Sequence, residues 1–410
     1  MKNVAVVGAG VSPFGRLDAL LYQEIGRPAV NDAIESAGID RKLIESCYYG
    51  TCGGVGVGHE IMNECGMIGI PITRVVNACS SGSNAFRLGY MDIASGMSEC
   101  VMAMGIEKMK DVTMAVVGGG TRYQIEAKAF AHGSPTPGGG GGGGGGGMAA
   151  GFALMGRAHM KIYGTKVEDF ANITVKSRRN GSKNPKAEFQ NIMTLQEVLD
   201  DVMINDPLTR SQCCPRTDGA AAVILMSEDY VKKYHIESPI WIKGSAMGSN
   251  FGGENEMRWY KETGSPYPPG FLTDYLVAQK VYKMAKVKPQ DFYDRGFVEC
   301  HDCFSVSEYV HYEDFGFCKK GEASPLINDG VFEIDGDLPI NPSGGLLSVG
   351  HPLGATGARQ VAEIFWQMTK HKEVAKRQVP DKHLDLGLQH TLGSPGIGFT
   401  NVMHVFSRNL

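Results

Sequence analysis

Asn77-Ala78-Cys79-Ser80-Ser81-Gly82 decides how this chain is read. Ahead of it, Ile72-Thr73-Arg74-Val75-Val76 is an extended apolar segment; behind it, small residues open a helix. A cysteine at that break sits over unpaired backbone N–H groups and the positive end of a helix dipole. Both favour thiolate over thiol, the form that attacks carbonyls and carries acyl groups. A cysteine between Ala and Ser is equally an ordinary small core residue, so the rest of the chain has to decide.

Outward from this stretch the two ends of the chain follow one plan. Met1 to Gly8 reads as a first strand, and Pro28 to Gly38 is a helical pattern leading through Leu43–Gly50 into another strand. Ala278 to Ala285 is again helical and leads through Asp291–Glu299 into a strand. Each half then reaches a glycine-rich strand-to-helix junction, the first at Cys79 and the second running from Ile340-Asn341-Pro342-Ser343-Gly344-Gly345 to Gly350-His351-Pro352. The helix after His351 puts Val361, Ile364, Phe365 and Met368 on one face,. Strands alternating with helices predict an α/β fold with mostly parallel sheets, and the duplication predicts two similar sheets packed together.

Between the halves, about Gly119 to Cys213, the sequence is more polar and includes the charged loop Lys176–Pro185. It returns to core through Asp218–Leu225. The expected division is residues 1–118 with 214–267 as the first half, 119–213 as an inserted segment over a ligand, and 268–410 as the second half. Ten consecutive glycines at 138–147 read as a stretch whose true residues were not identified.

Composition narrows the class. A hydrophobic fraction of 42%, a charged fraction of 20% and a net charge of −4 over 410 residues are those of an ordinary globular protein with no basic field for nucleic acid,. No apolar run approaches the roughly 18 residues of a membrane span, and the N-terminus lacks the apolar core of a signal peptide. Ten cysteines are too dilute for a disulfide scaffold and are expected to be reduced thiols in a cytoplasm,.

Three further stretches carry chemistry. In Glu299-Cys300-His301-Asp302-Cys303-Phe304, the side chains of His301 and Cys303 point to one side of an extended backbone and pair a donor with a thiol,. Zinc is the rival use, but no second Cys/His pair stands at finger-like spacing, so no metal is expected. Gly350-His351-Pro352-Leu353-Gly354-Ala355-Thr356-Gly357 holds a histidine in a tight turn, either as a base or oxyanion donor or as a structural turn residue,. Gln389-His390-Thr391-Leu392-Gly393-Ser394-Pro395-Gly396 is a glycine-rich loop whose N–H groups suit an oxyanion hole, although many such loops are only turns,. Gly8-Ala9-Gly10 lacks the third glycine of a dinucleotide fingerprint,. Together the set offers nucleophile, base, acid and oxyanion donors, which is what acyl transfer through a carbanion requires.

At these residues the chain resembles the thiolase superfamily. The Cys79 block resembles its nucleophile block, and Asn341–Gly345 with Gly350–Gly357 its catalytic-histidine block. His301-Asp302-Cys303-Phe304 and Cys213-Cys214-Pro215-Arg216-Thr217-Asp218-Gly219-Ala220-Ala221 resemble the sterol carrier protein x-type subgroup. The resemblance implies duplicated βαβαβαββ halves in a five-layered α-β-α-β-α sandwich, with an inserted loop domain that binds coenzyme A. It implies that Cys79 takes the acyl group, that His351 deprotonates it, and that His301 and His351 hold the thioester oxygen. Cys303 would move the proton of the carbanion, and the N–H groups of Cys79 and Gly393 would hold the acyl-enzyme oxygen. Cys214 and Met155 are expected on the substrate side.

Thr391-Leu392-Gly393 replaces the Cys-x-Gly of ordinary thiolases. The subgroup also lacks that cysteine, and Cys303 covers its role. Ser394-Pro395 is bulkier than the usual glycines, which reshapes the acyl pocket. Coenzyme A is a substrate in this reading and no cofactor is covalently bound. A homodimer, and a small zinc-ribbon/OB-fold subunit of the kind found with bacterial and archaeal relatives, are implied partners; no appended sterol carrier domain is expected. The implied reaction is cleavage of a 3-oxoacyl-CoA by coenzyme A or the reverse Claisen condensation, with an aromatic substrate such as benzoylsuccinyl-CoA as one branch. A retro-aldolase acting on a 3-hydroxyacyl-CoA and a non-catalytic acyl-CoA-binding subunit are the alternatives.

Overall fold

Two strand orders that repeat each other organise the structure, a computed structural model that describes residues 1–112, 147–250, 262, 269–393 and 399–410. The chain-order strands are β1 (Val4–Val11), β2 (Ser46–Gly50), β3 (Ile72–Val75), β4 (Cys100–Glu107), the hairpin β5 (Met203–Asn205) and β6 (Leu208–Thr209), then β7 (Gly219–Ser227), β8 (Ile240–Asn250), β9 (Gly296–Glu299), β10 (Leu386–Gly393) and β11 (Phe399–Ser407). Hydrogen bonding places them in the order β3-β2-β4-β7-β1-β8-β11-β10-β9. A parallel bridge from Val298 to Ile340 adds a one-residue edge beyond β9. The second half therefore reads Ile340-β9-β10-β11-β8, matching β3-β2-β4-β7-β1 position by position.

The expected duplication is present, but its two sheets are joined edge to edge. Ala5 pairs with Trp241 and Val6 with Ile240, so β1 and β8 share a short seam. Since β8 pairs along its length with β11, the repeat divides between β7 and β8, one strand earlier than a boundary at 267.

Strand alternation separates the layers. Ala5 and Val7 of β1 and Ile224 of β7 join one core with Ile25 of helix α1 (Tyr22–Ala37) and Ile61 of α2 (Val57–Glu64). Their neighbours Val6 and Val223 face the opposite way, with Phe86 of α3 (Ser81–Ser95). With both faces of the sheet covered, its strands are apolar throughout rather than alternating with polar residues. A third core puts Val298 of β9, Leu388 of β10 and Met403 of β11 against an outer helical layer that includes Val281, Phe292 and Tyr309. Phe152, Phe170 and Ile173 belong to that same core, carried by α4 (Gly147–Tyr163) and α5 (Val167–Gly181). The helices of the inserted segment are thus built into the second half. The outer helices of this half are α6 (Leu272–Ala285), α7 (Pro289–Arg295) and α8 (Ser305–Asp314), followed by α9 (Gly345–Val349) and α10 (Thr356–Thr369). Val361, Ile364, Phe365 and Met368 of α10 are buried in the central core beside Phe86, as their spacing predicted. Helices α3 and α10 form the middle layer of the sandwich.

The glycine run up to residue 146 and Ser394-Pro395-Gly396 lie outside the described residues. No helix among the described residues is long and apolar enough to cross a membrane.

Candidate active site

Helices α3 and α10 meet at their N-termini, and glycines permit the approach. A Cβ on Gly82 would lie 2.4 Å from the carbonyl oxygen of Gly354, and one on Gly357 2.3 Å from the nitrogen of Ser83. No side chain fits at either point, so the loops preceding the two helices, which carry Cys79 and His351, are held side by side. Gly393, at the end of β10, closes a third side. A Cβ there would stand 2.3 Å from the carbonyl oxygen of Asn77 and 2.9 Å from the nitrogen of Ser80. Ala78 turns the chain into α3 at φ 50°, a left-handed conformation that costs a non-glycine residue on the order of 1 kcal/mol or more.

The chain brings Cys79, His301 and His351 together: the sulfur and one ring nitrogen of each histidine lie within 4.8 Å of one another. The two imidazoles meet edge to face, with ring centroids 4.9 Å apart. Sulfur and imidazole nitrogen are also zinc donors; under acyl transfer the same atoms are a nucleophile, its base and an oxyanion donor.

The proton on His351 can be located. Nδ1 is 2.7 Å from Thr356 Oγ1, and that hydroxyl donates its own hydrogen to the carbonyl of Pro352 at 3.0 Å. Nδ1 is therefore the donor, and Nε2 is left with a bare lone pair. Nε2 is buried without a hydrogen-bond partner, as is Nδ1 of His301. Two unpartnered buried nitrogens in a reactive cluster are unusual in a folded protein and mark where a ligand atom would bind.

Electrostatics revise the expectation of a resting thiolate. Burial pushes the Cys79 thiol up, Cys52 and Glu107 add to that push, and its own backbone N–H opposes it. Burial also pushes His351 down to about 3, helped by Arg359. The resting pair is a neutral thiol beside a neutral imidazole. Local helix-start geometry favours the anion, but removal from water outweighs it.

Cys303 is buried, and Cys214 and Cys79 are the charged-form neighbours that add to burial in raising its thiol. The backbone N–H of Cys214 donates to the carbonyl of Cys303 at 2.9 Å. Cys214 and Phe304 line a cavity of about 740 Å³ whose wall also holds Arg16, Arg178, Arg210 and Arg216. Met155 is half-buried on α4 against the second-half core and is not among the residues lining that cavity.

Supporting residues escaped the sequence reading. Glu107, at the end of β4, is fully buried and accepts from the N–H groups of Cys52, Gly53 and Gly354 at 2.8, 2.8 and 3.0 Å, tying the loop after β2 to the His351 turn. Asn341 accepts from the Cys300 N–H at 2.8 Å and donates to Glu308 at 2.7 Å, which anchors the segment leading to His301. Asp302 accepts from Leu346 N–H at 2.6 Å. Asn341 and Asp302 lay in motifs already singled out, so proximity in the sequence was the available signal; Glu107 had none.

The chain is similar to known proteins. The thiolase N-terminal domain pattern matches residues 4–229, and the thiolase C-terminal domain-like pattern residues 275–408. An acetyl-CoA acetyltransferase of Methanothermobacter thermautotrophicus is 37% identical over 414 residues, covering 100% of both chains. Sterol carrier protein 2 of Oryctolagus cuniculus is 36% identical over 97% of this chain and 71% of its own. The benzoylsuccinyl-CoA thiolase subunit BbsB of Thauera aromatica is 33% identical over 90% of this chain and 89% of its own. Among solved structures, an Ltp2-ChsH2(DUF35) aldolase superposes with a TM-score of 0.78 over 100% of this chain and 99% of that one at 23% identity, a likeness of fold. The duplicated sandwich, the matches to both thiolase halves and the full-length relatives lead to one conclusion: the chain belongs to the thiolase family and is an acyl-CoA C-acyltransferase.

Proposed function

We propose that this protein cleaves a 3-oxoacyl-CoA with free coenzyme A, or runs the reverse Claisen condensation, through an acyl thioester on Cys79. The observation that carries this reading is the meeting of the Cys79 sulfur with ring nitrogens of His301 and His351 within 4.8 Å. The Cys79 sulfur attacks the keto carbon as its proton passes to Nε2 of His351. The bond between the α- and β-carbons breaks, and the departing enolate takes a proton from Cys303. Coenzyme A then gives its thiol proton to the Cys303 thiolate and its sulfur attacks the acyl-Cys79 carbonyl; as the new acyl-CoA forms, Cys79 leaves and takes back the proton held on Nε2 of His351. Dividing one difficult step in two is the advantage of covalent catalysis. Because thiol and imidazole rest neutral, the proton moves in concert with attack, and the oxyanion supplies the charge that His301 and His351 then stabilise. The N–H groups of Cys79 and Gly393 serve the oxygen of the acyl-enzyme.

The arginine-lined cavity beside Cys214 suits the phosphates of coenzyme A,. Residues 119–213 form the covering segment in this reading, with Met155 toward the acyl group. Kinship to a benzoylsuccinyl-CoA thiolase subunit supports an aromatic or branched acyl group. That relative is itself a subunit, which supports an accessory partner, of zinc-ribbon/OB-fold type, beside a homodimer in the cytoplasm.

The test is a panel of aliphatic and aromatic 3-oxoacyl-CoA thioesters incubated with free coenzyme A, the products weighed by mass spectrometry. Two acyl-CoA products, lost in Cys79→Ala, support thiolysis. An aldehyde or ketone released from a 3-hydroxyacyl-CoA without coenzyme A consumption would replace it with retro-aldol cleavage.

A further inference from the structure

Behind His301 lies a second cluster to which no role has been given. Asp274 of α6, His311 of α8 and His390 of β10 place a carboxylate oxygen and two ring nitrogens within 4.8 Å of one another. All three side chains are fully buried. Asp274 Oδ2 is 2.6 Å from His311 Nδ1, and Asp274 Oδ1 is 3.5 Å from His390 Nε2. The far sides of both rings reach the backbone of His301. Nε2 of His311 is 3.0 Å from the His301 carbonyl oxygen, and the His301 N–H donates to Nδ1 of His390 at 3.4 Å. The amide of Asn401 bridges Asp274 and, at 2.9 Å, His390.

Ser307 donates its hydroxyl hydrogen to the His301 carbonyl at 2.9 Å and stands 3.0 Å from Nε2 of His311. Phe315 stacks flat on the His311 ring, with centroids 5.1 Å apart at 5°. The other titratable groups near His311 are His390 and His301 on packed elements, and Asp314 on its own helix, itself held by Lys320 and the Phe271 N–H.

We propose that Asp274 is a positioning residue for the thiolase reaction: it stands between His311 and His390, and the two rings clamp the carbonyl and N–H of His301 so that its imidazole stays against Cys79 and His351. The inference rests on the reading of His301 as an oxyanion donor.

Asp274→Asn tests it. The amide keeps the shape but replaces one of the two oxygens that face the rings, so one ring loses its partner and the hold on the His301 backbone loosens. The expected result is a kcat about tenfold below that of the wild type while KM for coenzyme A holds, with Asp274→Glu recovering most of the loss. A folded Asp274→Asn enzyme with the kcat of the wild type would overturn the proposal. If that variant does not fold, His390→Phe, which removes the acceptor of the His301 N–H, decides in its place: the same fall in kcat at unchanged KM supports the proposal, and an unchanged kcat overturns it. A wild-type protein inert toward every thioester would overturn the functional reading, whereas a Cys79-dependent thiolase indifferent to these substitutions would overturn only the positioning role.

Discussion

Thr356 Oγ1 stands 2.7 Å from Nδ1 of His351 and donates its own hydrogen to Pro352, so it accepts from the imidazole and fixes the opposite nitrogen as a base. Valine has the shape of threonine without the acceptor. Thr356→Val is expected to lower kcat by about 10- to 100-fold, as the loss of one orienting hydrogen bond does elsewhere, with KM little changed. Thr356→Ser keeps the oxygen and should retain most activity. Steady-state kinetics of the two variants, with circular dichroism to confirm folding, check this.

The neutral resting pair predicts how Cys79 reacts with an alkylating agent. Burial holds its thiol up and holds His351 down to about 3. Iodoacetamide labelling of Cys79, followed by peptide mass spectrometry, should therefore rise steadily with pH beyond about pH 8.5, the ordinary cysteine value, with no plateau near neutrality. A plateau between about pH 5 and about pH 7 would reveal a preformed thiolate–imidazolium pair and refute this account.

Buried neutral histidines make the fold acid-sensitive. His351 and His404 are held near 3 and His390 near 4, each chiefly by burial. Above the unfolded value of about 6.5 these rings are neutral in both states and contribute nothing to pH dependence. As pH falls below it, the unfolded chain takes up protons that the folded chain refuses, so stability is lost progressively toward the folded values. At about pH 5 each ring costs about 2 kcal/mol. His404 is bound by Ser83 and Ser245 and lies outside the cluster around Cys79. His404→Gln should flatten part of the loss in urea midpoints measured between about pH 7.5 and about pH 5 without moving activity.

Gly82→Ala tests the contact between α3 and α10. Its methyl group would enter to 2.4 Å of the Gly354 carbonyl oxygen, a backbone atom with no room to retreat. Overpacking of this kind costs about 1–3 kcal/mol, and spreading the helices separates Cys79 from His351. The variant is expected to lose thermal stability and to lose activity by a larger factor than stability alone explains at an assay temperature well below its midpoint.

The site was legible where chemistry and backbone punctuation coincide. Cys79 follows a strand and His351 the short helix α9, each precedes a small-residue helix, and the fold brings the two side by side. His301 and Cys303 were expected on one side because a single residue of extended chain separates them. Asp274, His311 and His390 could not be grouped in this way, since they come from two helices and a strand far apart in sequence. The state of the Cys79 sulfur was misjudged for a related reason. The helix start that favours an anion is local, whereas the desolvation that opposes it is assembled by remote segments. The repeat of the two halves was visible, but the β1–β8 seam was not, because nothing in an apolar strand names its edge partner.

The excursion of the chain at residues 147–181 has a consequence for how this molecule comes apart. Before finishing its first sheet with β7, the polypeptide donates Phe152, Phe170 and Ile173 to the other half. The halves are laced into one another, and neither fragment released by a cut between β7 and β8 inherits a whole interior. Heat or denaturant should then melt the protein in a single cooperative step, with no half-folded species surviving at the midpoint.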